Sequence, residues 1–285
     1  MKSITIKAHA KINLVLDVLY KREDNYHELD GIMHTIDLHD TVCVTRMTDA
    51  SQRVSVICNE PLPHNNTAFV AATMYLQSTG ITDSIAITID KAIPSQAGLG
   101  SASADAAAVL LAMQALYNAL NEKKLLALAE AIGADVPFCL IYNNGGCARA
   151  SGKGERLEAL PRLDFNLLIV KGTCGISTKE LFENLNLSSK SSHIYRVDCA
   201  VKTIKDNDYN TLYLNMFNAL ENSAITECKE IESIKNELLR MGARVAFMTG
   251  SGSAVVGIFE DSAVLNSAKS HFKSLGYYCE ASKTI

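Results

Sequence analysis

Alternating apolar and polar residues open the chain and predict a β-strand. Every even position from Ile4 to Val18 is apolar, and the odd positions between them include Lys11, Asn13 and Asp17. Successive side chains of a strand point to opposite faces, so a period of two predicts a half-buried strand or a bent pair of strands. Lys11 and Asn13 should then share one face.

The same reasoning predicts a sheet in the first half of the chain. Strands are expected at Thr41–Met47, Arg53–Cys58 and Ser84–Lys91, with a turn region at Tyr26–Gly31. Helical spacing of apolar residues predicts helices over Thr67–Leu76, after Ser103, and over Glu122–Ile132, where Gly133 ends the helix. A strand, a loop of small residues and a helix therefore follow one another after Ser84.

The second half mixes strands and helices. Asn143–Glu155 is rich in turn-forming residues and Pro161 follows it, which predicts a domain boundary near residue 160. Beyond it, strands are expected at Phe165–Lys171, Arg244–Thr249, Ala254–Phe259 and Tyr277–Ala281. Helices are expected at Thr178–Leu185, in much of the chain up to Met241, and at Ser262–Leu275. A polar loop is expected at Asn186–His193. The predicted fold class is α+β, in two domains of residues 1–160 and 161–285.

Composition and charge narrow the function classes. The chain has 285 residues, 48% hydrophobic and 20% charged, which is typical of a globular protein rather than a disordered one. A formal net charge of -4, without a run of Lys and Arg, argues against a nucleic-acid polymer as partner, although backbone N–H groups and a few lysines can still hold a small anion. The sequence shows neither a signal peptide nor an apolar run of about 20 residues, so we expect a soluble, cytoplasmic protein without a membrane partner.

The eight cysteines lie far apart, with no Cys-x-x-Cys pair and no histidines at zinc spacing. We expect reduced and mostly buried thiols.

The loop Pro94–Ala104 is the leading candidate for chemistry. Its residues are almost all small: Pro94, Ser95, Gln96, Ala97, Gly98, Leu99, Gly100, Ser101, Ala102, Ser103 and Ala104. Small residues let the backbone approach a phosphate, and the N-terminus of the following helix adds a favourable dipole. Taken alone, the loop is equally well interpreted as a flexible linker or a tight packing turn. Neither the Walker pattern nor the dinucleotide fingerprint fits it.

Three motifs in order make the chain resemble a known superfamily. Ala10–Leu14 reads AKINL, Pro94–Ala107 contains the loop, and Met248–Ser253 reads MTGSGS. Together they resemble the galactokinase, homoserine kinase, mevalonate kinase and phosphomevalonate kinase (GHMP) superfamily. The resemblance implies a two-domain GHMP kinase fold, with an N-terminal mixed α/β domain and a C-terminal ferredoxin-like α+β domain. It also implies ATP with Mg²⁺, whose protein ligands the sequence does not identify.

Four further segments resemble one branch of that superfamily, the kinases of 4-diphosphocytidyl-2-C-methyl-D-erythritol. They are Asn25–Leu29, Ile36–Asp40, Gly133–Phe138 and Gly175–Glu180. The resemblance implies transfer of the ATP γ-phosphoryl group to the 2-hydroxyl of this small molecule, in non-mevalonate isoprenoid precursor synthesis, by a monomer or homodimer. Two rival interpretations are a kinase of the same superfamily acting on mevalonate or homoserine, and a ligand-binding homologue without catalysis.

Asp135 and Lys11 are the candidate catalytic residues. Phosphoryl transfer needs an acceptor for the hydroxyl proton and positive charge beside the transferring group. The resemblance implies that Asp135 is the base, that Lys11 supplies the charge, and that Asn13 binds substrate. By sequence alone, Asp135 is better interpreted as the N-cap of the short segment Val136–Ile141, and Lys11 with Asn13 as part of a solvated polar face.

The candidate substrate residues are Tyr26, His27, Thr178 and Phe182. Tyr26 and His27 are expected to hold the cytosine by stacking and by hydrogen bonds to its edge. The resemblance implies that Phe182 lies on the other side of the base. A lone Phe at helical spacing is more often a core residue.

Asn66 and Lys91 match family positions around the adenine and ribose of ATP, although by sequence alone each is a surface polar residue. The loop Pro94–Ala104, which follows Lys91, departs from the family pattern. Ser101 and Ala102 stand where the family has glycines, and Ala104 replaces the second serine. The added side chains are expected to narrow the phosphate nest or to change its flexibility.

Overall fold

The computed structural model describes residues 2–47, 52–185 and 194–285. These residues group into two compact units, each assembled from three segments of the chain. Unit 1 consists of Met1–Ala10, Leu38–Pro94 and Gly100–Asn144, and unit 2 consists of Lys11–Asp37, Ser95–Leu99 and Gly145–Ile285. The units do not correspond to a single cut of the chain, and a domain boundary near residue 160 stays a prediction.

The elements of the described residues follow in chain order. The strands are β1 (Ser3–Lys21), β2 (His27–Met47), β3 (Val54–Cys58), β4 (Ser84–Asp90), β5 (Cys147–Gly152), β6 (Arg156–Leu160), β7 (Asn166–Lys171), β8 (Phe217–Asn218), β9 (Val245–Met248), β10 (Val255–Phe259) and β11 (Tyr278–Lys283). The helices are α1 (Thr67–Thr79), α2 (Ser101–Tyr117), α3 (Glu122–Ile132), α4 (Val136–Ile141), α5 (Thr178–Glu183), α6 (Ile194–Asp206), α7 (Tyr209–Asn215), α8 (Glu221–Glu227), α9 (Glu230–Arg240) and α10 (Ser262–Ser274).

Unit 1 packs a sheet against helices with many small residues. Strand β4 lies between β3, which runs parallel to it, and the C-terminal part of β2, which runs antiparallel with Thr41 opposite Asp90. The first turns of α2 are built from fully buried alanines, at Ala104 and Ala106–Ala108. Because alanine side chains are small, α1 and α4 can pack closely against α2.

Unit 2 contains a four-stranded antiparallel sheet in the order β11-β7-β10-β9. Helices α9 and α10 pack on the sheet through a shared apolar core that includes Leu168, Val255, Leu238 and Phe272. Elsewhere in this unit, β1 pairs with β8, the N-terminal part of β2 pairs with β5, and β5 pairs with β6. The predicted α+β class is confirmed. Within the described ranges, none of the helices is long and apolar enough to cross a membrane.

Three local predictions were wrong. Tyr26–Gly31 is not a turn as a whole, because β2 begins at His27 and pairs with β5, with Leu29 opposite Gly152. Strand β5 itself lies inside the segment predicted to be turn-rich. Tertiary pairing thus overrides the local preference of polar and glycine-rich sequence. Helix α2 begins at Ser101 rather than after Ser103. The predicted polar loop Asn186–His193 lies outside the described residues.

The expectation that all cysteines are reduced was also wrong. Cys174 and Cys228 form a disulfide in unit 2, with their Cα atoms 6.1 Å apart, while the other six cysteines remain thiols. The partners are separated by 54 positions, so no local spacing in the sequence signals this bond. The disulfide joins the segment before α5 to the segment between α8 and α9.

Candidate functional site

Residues Ser95–Leu99 of the loop pack against the third motif within unit 2. The backbone N–H of Ser253 donates to the carbonyl oxygen of Gln96 at 3.2 Å, and that of Ala254 donates to Ala97 at 3.3 Å. Gln96 and Gly98 have φ angles of 50° and 71°, so the chain turns here through left-handed conformations. These residues form a packed turn and not a flexible linker. Their binding of phosphate stays a prediction.

The third motif, Met248–Ser253, is the hairpin turn between β9 and β10. It also supports the loop, because a β-carbon on Gly98 would overlap the carbonyl oxygen of Thr249. A glycine is therefore required at this point for the two backbones to approach each other. Beside them, the Thr178 hydroxyl lies 2.7 Å from that of Ser251, which brings one predicted substrate residue to this turn.

Asn218 holds the hairpin turn in place, and the sequence did not single it out. Its side chain donates to the carbonyl oxygens of Met248 and Gly250, at 2.8 and 2.7 Å, and accepts from the backbone N–H of Leu220 at 2.9 Å. The residue is only 7% exposed, so these bonds satisfy polar groups that water does not reach. No motif surrounds Asn218, and the only strand it belongs to has two residues.

Lys11 and Asn13 lie side by side on β1, as the strand period predicted. The Lys11 Nζ donates to the Asn13 Oδ1 at 2.6 Å, and the two residues are 4% and 2% exposed. The backbone N–H of Lys11 donates to the loop carbonyl of Leu99 at 3.0 Å, and that of Asn13 donates to the Thr249 hydroxyl at 2.9 Å. The solvated-face interpretation of the pair was wrong. The backbone of Lys11 is thus bonded to the loop and that of Asn13 to the third motif, while the Lys11 ammonium is bonded to Asn13.

In unit 1 the end of the loop becomes the N-terminus of α2. Gly100 is the N-cap, with φ 74°, and the first N–H group to close a helical turn is that of Ala104, which donates to Gly100 at 2.9 Å. The N–H groups before it, in the first turn of a helix, have no acceptor inside the helix and point along its axis. Together with the helix dipole they favour an anion at this end of α2.

A buried charged cluster lies beneath this helix start. The Lys91 ammonium contacts carboxylate oxygens of Asp40 and Asp105, the latter at 2.6 Å, and also contacts the Ser101 hydroxyl. The side chains of Lys91 and Asp105 are 4% and 5% exposed and that of Asp40 is fully buried. The interpretation of Lys91 as a surface residue was therefore wrong. Its predicted contact with ATP stays a prediction, and its ammonium is engaged with two carboxylates.

Two groups of the cluster have shifted pKa values. Burial raises the pKa of Asp105 to about 7, against the attraction of Lys91 and with the help of the neighbouring Asp40. Burial works against the charge of Lys91, but Asp105 and Asp40 outweigh it, so the pKa of this lysine is raised. Lys91 thus remains an ammonium ion, while Asp105 binds a proton far more readily than an exposed carboxylate.

Asp135 occupies the N-cap position of α4 and is partly exposed. Its backbone oxygen accepts from the N–H of Cys139 at 3.1 Å, but its side chain does not cap the helix. The prediction that Asp135 is the N-cap of this helix is confirmed by its position, although its carboxylate does not make the capping hydrogen bond. Its role as a base stays a prediction.

Asn66 is the N-cap of α1. Its Oδ1 accepts from the Phe69 N–H at 3.0 Å, and its Nδ2 donates to the Pro63 carbonyl at 3.0 Å. These bonds fix the amide orientation and assign it a structural role. Contact with adenine or ribose stays a prediction for this residue.

The predicted substrate residues of unit 2 include two aromatic rings that lie together. The rings of His27 and Phe182 have centroids 5.1 Å apart and are inclined by 30°. Tyr26 is 55% exposed, and the Lys153 ammonium lies 4.7 Å from its ring centroid. Burial, with a smaller effect of the charge of Lys21, lowers the pKa of His27, which favours the neutral form of its ring.

Comparison with known proteins extends these observations to the whole chain. The family models described as the GHMP kinases N-terminal domain and the GHMP kinases C-terminal domain match residues 66–142 and 200–277. A protein of Acetivibrio thermocellus named 4-diphosphocytidyl-2-C-methyl-D-erythritol kinase is 39% identical over 100% of both chains. A crystal structure of 4-(cytidine 5'-diphospho)-2C-methyl-D-erythritol kinase is similar with a TM-score of 0.82 and 30% identity, covering 99% of each chain.

A homoserine kinase from Cytophaga hutchinsonii has a TM-score of 0.78 at 20% identity, over 100% of this chain and 95% of that one, and shows the shared fold. The predicted two-domain GHMP kinase fold is confirmed. The relatives are similar in sequence over the full length of the chain, which shows the family as well as the fold. The chain belongs to the GHMP kinase family and is a small-molecule kinase.

Proposed function

We propose that this kinase transfers the γ-phosphoryl group of ATP to the 2-hydroxyl of 4-diphosphocytidyl-2-C-methyl-D-erythritol, a step of non-mevalonate isoprenoid precursor synthesis. The observation that carries the proposal is the buried Lys11–Asn13 pair, which the first and third motifs hold beside the loop. The acceptor is proposed from the full-length relatives that carry this name. A ligand-binding homologue would have no need of a buried ammonium at this position, because burying it costs free energy.

In the proposed reaction the 2-hydroxyl oxygen forms a bond to the γ-phosphorus while the bond between this phosphorus and the β,γ-bridging oxygen breaks. ADP takes the electron pair of the broken bond, and Asp135 accepts the hydroxyl proton. Lys11 offsets the negative charge that develops on the transferring group, and Asn13 orients Lys11 through their hydrogen bond. Positioning supplies most of the rate in this chemistry, so a pre-bonded lysine is an advantage.

The loop is proposed to hold the phosphates of ATP. Its backbone turns through left-handed conformations at Gln96, Gly98 and Gly100, and α2 begins directly after it. Magnesium requires oxygen ligands, and the Ser103 hydroxyl in the first turn of α2 is a donor of that kind, with the phosphates and water completing the set. Bound Mg²⁺ would supply charge neutralisation at the phosphate oxygens.

Cytosine recognition is assigned to Tyr26, His27 and Phe182. The neutral His27 ring can exchange hydrogen bonds with a base edge, and Phe182 supports that ring from the side. Tyr26 offers an exposed ring face on which a base can stack. Thr178 begins α5, the same helix that carries Phe182.

The test is an ADP-release assay with ATP, Mg²⁺ and three alcohols: the cytidine-diphosphate methylerythritol, mevalonate and homoserine. The expected result is turnover with the first alcohol alone, with a product heavier by one phosphoryl group in mass spectrometry. Turnover only with mevalonate or homoserine would replace the proposed substrate, and tight ligand binding without turnover would indicate a non-catalytic homologue. Phe182→Leu should raise KM for the cytidine substrate and leave KM for ATP unchanged.

A further inference from the structure

Both ends of the proposed phosphate loop in unit 1 are tied to one buried carboxylate. The Asp40 Oδ1 accepts from the backbone N–H groups of Ala92 and Ile93, at 2.6 and 2.8 Å, directly before the loop begins at Pro94. The Asp40 Oδ2 accepts from the Ser101 hydroxyl at 3.1 Å, directly after Gly100, where the non-helical part of the loop ends and α2 begins. The two oxygens of this side chain therefore set the separation between the start and the end of the loop.

Lys91 completes this arrangement from inside the cluster. Its ammonium contacts the same Asp40 oxygen and the same Ser101 hydroxyl, so that Asp40, Lys91 and Ser101 all touch one another. Asp105, one helical turn after Ser101, accepts from the ammonium at 2.6 Å. Three segments of the chain, namely β2, the end of β4 and the first turns of α2, thus meet at one buried cation.

Burying this cluster costs more free energy than a purely structural role would require. One ammonium faces two carboxylates, and the Asp105 Oδ1 is buried without a hydrogen-bond partner among the described residues. Buried polar networks of this kind are strongly destabilising when they are incompletely satisfied, whereas apolar side chains of similar volume would pack more cheaply. The need to hold the start and the end of the loop at a fixed separation is a reason to retain such a cluster.

We propose that Asp40 and Ser101 are positioning residues for ATP, which together fix the start and the end of the phosphate loop. Neither residue needs to touch the nucleotide, since each acts through the backbone that it holds. The serine is one of the two positions where the family has glycine, so in this chain a side-chain hydroxyl constrains a helix start that is otherwise free to adjust. The proposal rests on the proposed function in one respect, that the loop is the ATP phosphate site.

The test compares Ser101→Ala with Ser101→Thr in the full-length enzyme. The first variant removes the hydroxyl and the second keeps it. Both alanine and threonine can occupy the first turn of a helix. Asp40→Asn retains an oxygen for the two N–H groups and loses the acceptor for Ser101. Asp90→Asn is the matched control, because it removes a carboxylate next to Lys91 that lies on the exposed side and bonds Asn59 instead.

Ser101→Ala and Asp40→Asn should raise both KM and Kd for ATP by about tenfold, with kcat and KM for the alcohol within about twofold of wild type. Asp90→Asn should match wild type, and Ser101→Thr should bind ATP more tightly than Ser101→Ala because it keeps the hydroxyl. A merely structural role would lower the melting temperature of Ser101→Ala without separating KM for ATP from the other constants, and that result would overturn the proposal. If Asp40→Asn does not fold, the two Ser101 variants still decide.

The Kd for ATP is measured by calorimetry without any alcohol, which separates this inference from the proposed function. If wild type binds ATP and Ser101→Ala binds it about tenfold more weakly, the inference holds even when the cytidine substrate is not turned over. If wild type turns over that substrate and the variants bind ATP equally, the inference fails and the proposed function stands. Loss of ATP binding by wild type itself would overturn both.

Discussion

Gly98 and Gly250 approach each other with no room for a side chain between them. A β-carbon on Gly250 would lie 2.5 Å from the carbonyl oxygen of Gly98, closer than a β-carbon can approach. Both glycines also have positive φ angles, 71° for Gly98 and 54° for Gly250. This contact links the loop to the third motif within unit 2. Two short motifs that are far apart in sequence therefore depend on each other.

Gly98→Ala should destabilise the protein more than an ordinary glycine substitution does. The new residue must adopt a left-handed conformation and its β-carbon must also displace the Thr249 carbonyl, so the free energy of unfolding should fall by about 3 kcal/mol or more. Gly80→Ala is the control, because Gly80 has φ 69° with nothing within 4 Å of the β-carbon that alanine would add, and conformation alone should cost about 1 kcal/mol. Urea unfolding measures both. Equal losses in the two variants would contradict the packing argument.

The sequence predicted the parts of the structure that depend on local periodicity. Strand alternation placed Lys11 and Asn13 on one face, and helical spacing together with glycine stop signals gave the bounds of α3 as the structure has them. These signals are carried by neighbouring residues, so they survive without knowledge of tertiary contacts. The motif resemblance then supplied the family, which the comparisons confirmed.

The residues that sequence reasoning missed act through distant partners. Asp40 meets Lys91 across 51 positions, and Asn218 meets Gly250 across 32. Neither has a local pattern that distinguishes it from a surface polar residue. Strand β5 was missed for the same reason, since its extended backbone is imposed by β2 and β6 on both sides. The signal that was available is the position of Asp40 at the end of the Ile36–Asp40 segment, which the resemblance had already set apart.

Asp135→Asn should abolish proton transfer while leaving ATP binding intact. Asparagine has the same shape as aspartate but does not accept the proton of the 2-hydroxyl, so kcat should fall by about a hundredfold or more. Steady-state ADP release measures kcat, and calorimetry measures the Kd for ATP. Asp206→Asn is the control, because Asp206 pairs with Lys202 on the surface and its loss should change neither constant. Turnover near the wild-type rate in Asp135→Asn would eliminate the assigned base.

Asp105→Asn should change how stability depends on pH. Burial raises the pKa of Asp105 from its ordinary value of 3.8 to about 7, so the folded state binds this proton more tightly than the unfolded state. The stability contributed by that proton is fully present below pH 3.8 and is lost as the pH rises through about 7. Asparagine does not titrate. The difference in free energy of unfolding between the variant and wild type should therefore shift in favour of the variant as the pH rises from 3.8 to about 7, by on the order of a few kcal/mol. Outside this range the difference should be constant.

The comparison must be made at each pH, because His34 titrates in the opposite direction. Burial lowers the pKa of His34 from 6.5 to about 4, so the stability it contributes is present above pH 6.5 and is lost as the pH falls through about 4. This effect is common to both proteins and cancels in their difference. Urea unfolding of wild type and Asp105→Asn in steps from pH 4 to pH 8 gives the required values. A difference that does not vary with pH would show that Asp105 keeps an ordinary pKa.

Reducing the disulfide between Cys174 and Cys228 should lower the free energy of unfolding of the protein. The bond closes a loop of 54 positions, and loop closure of this length stabilises a fold by about 4 kcal/mol in the chain-entropy account. Thiol titration of the denatured protein should find six thiols before reduction and all eight cysteines after it. The double variant Cys174→Ser with Cys228→Ser should unfold at the same urea concentration with or without reductant, whereas Cys43→Ser should remain as sensitive to reductant as wild type. Eight titratable thiols in the unreduced protein would contradict the bond, because the two sulfurs would then lie together as thiols and reductant would leave the unfolding midpoint of wild type unchanged.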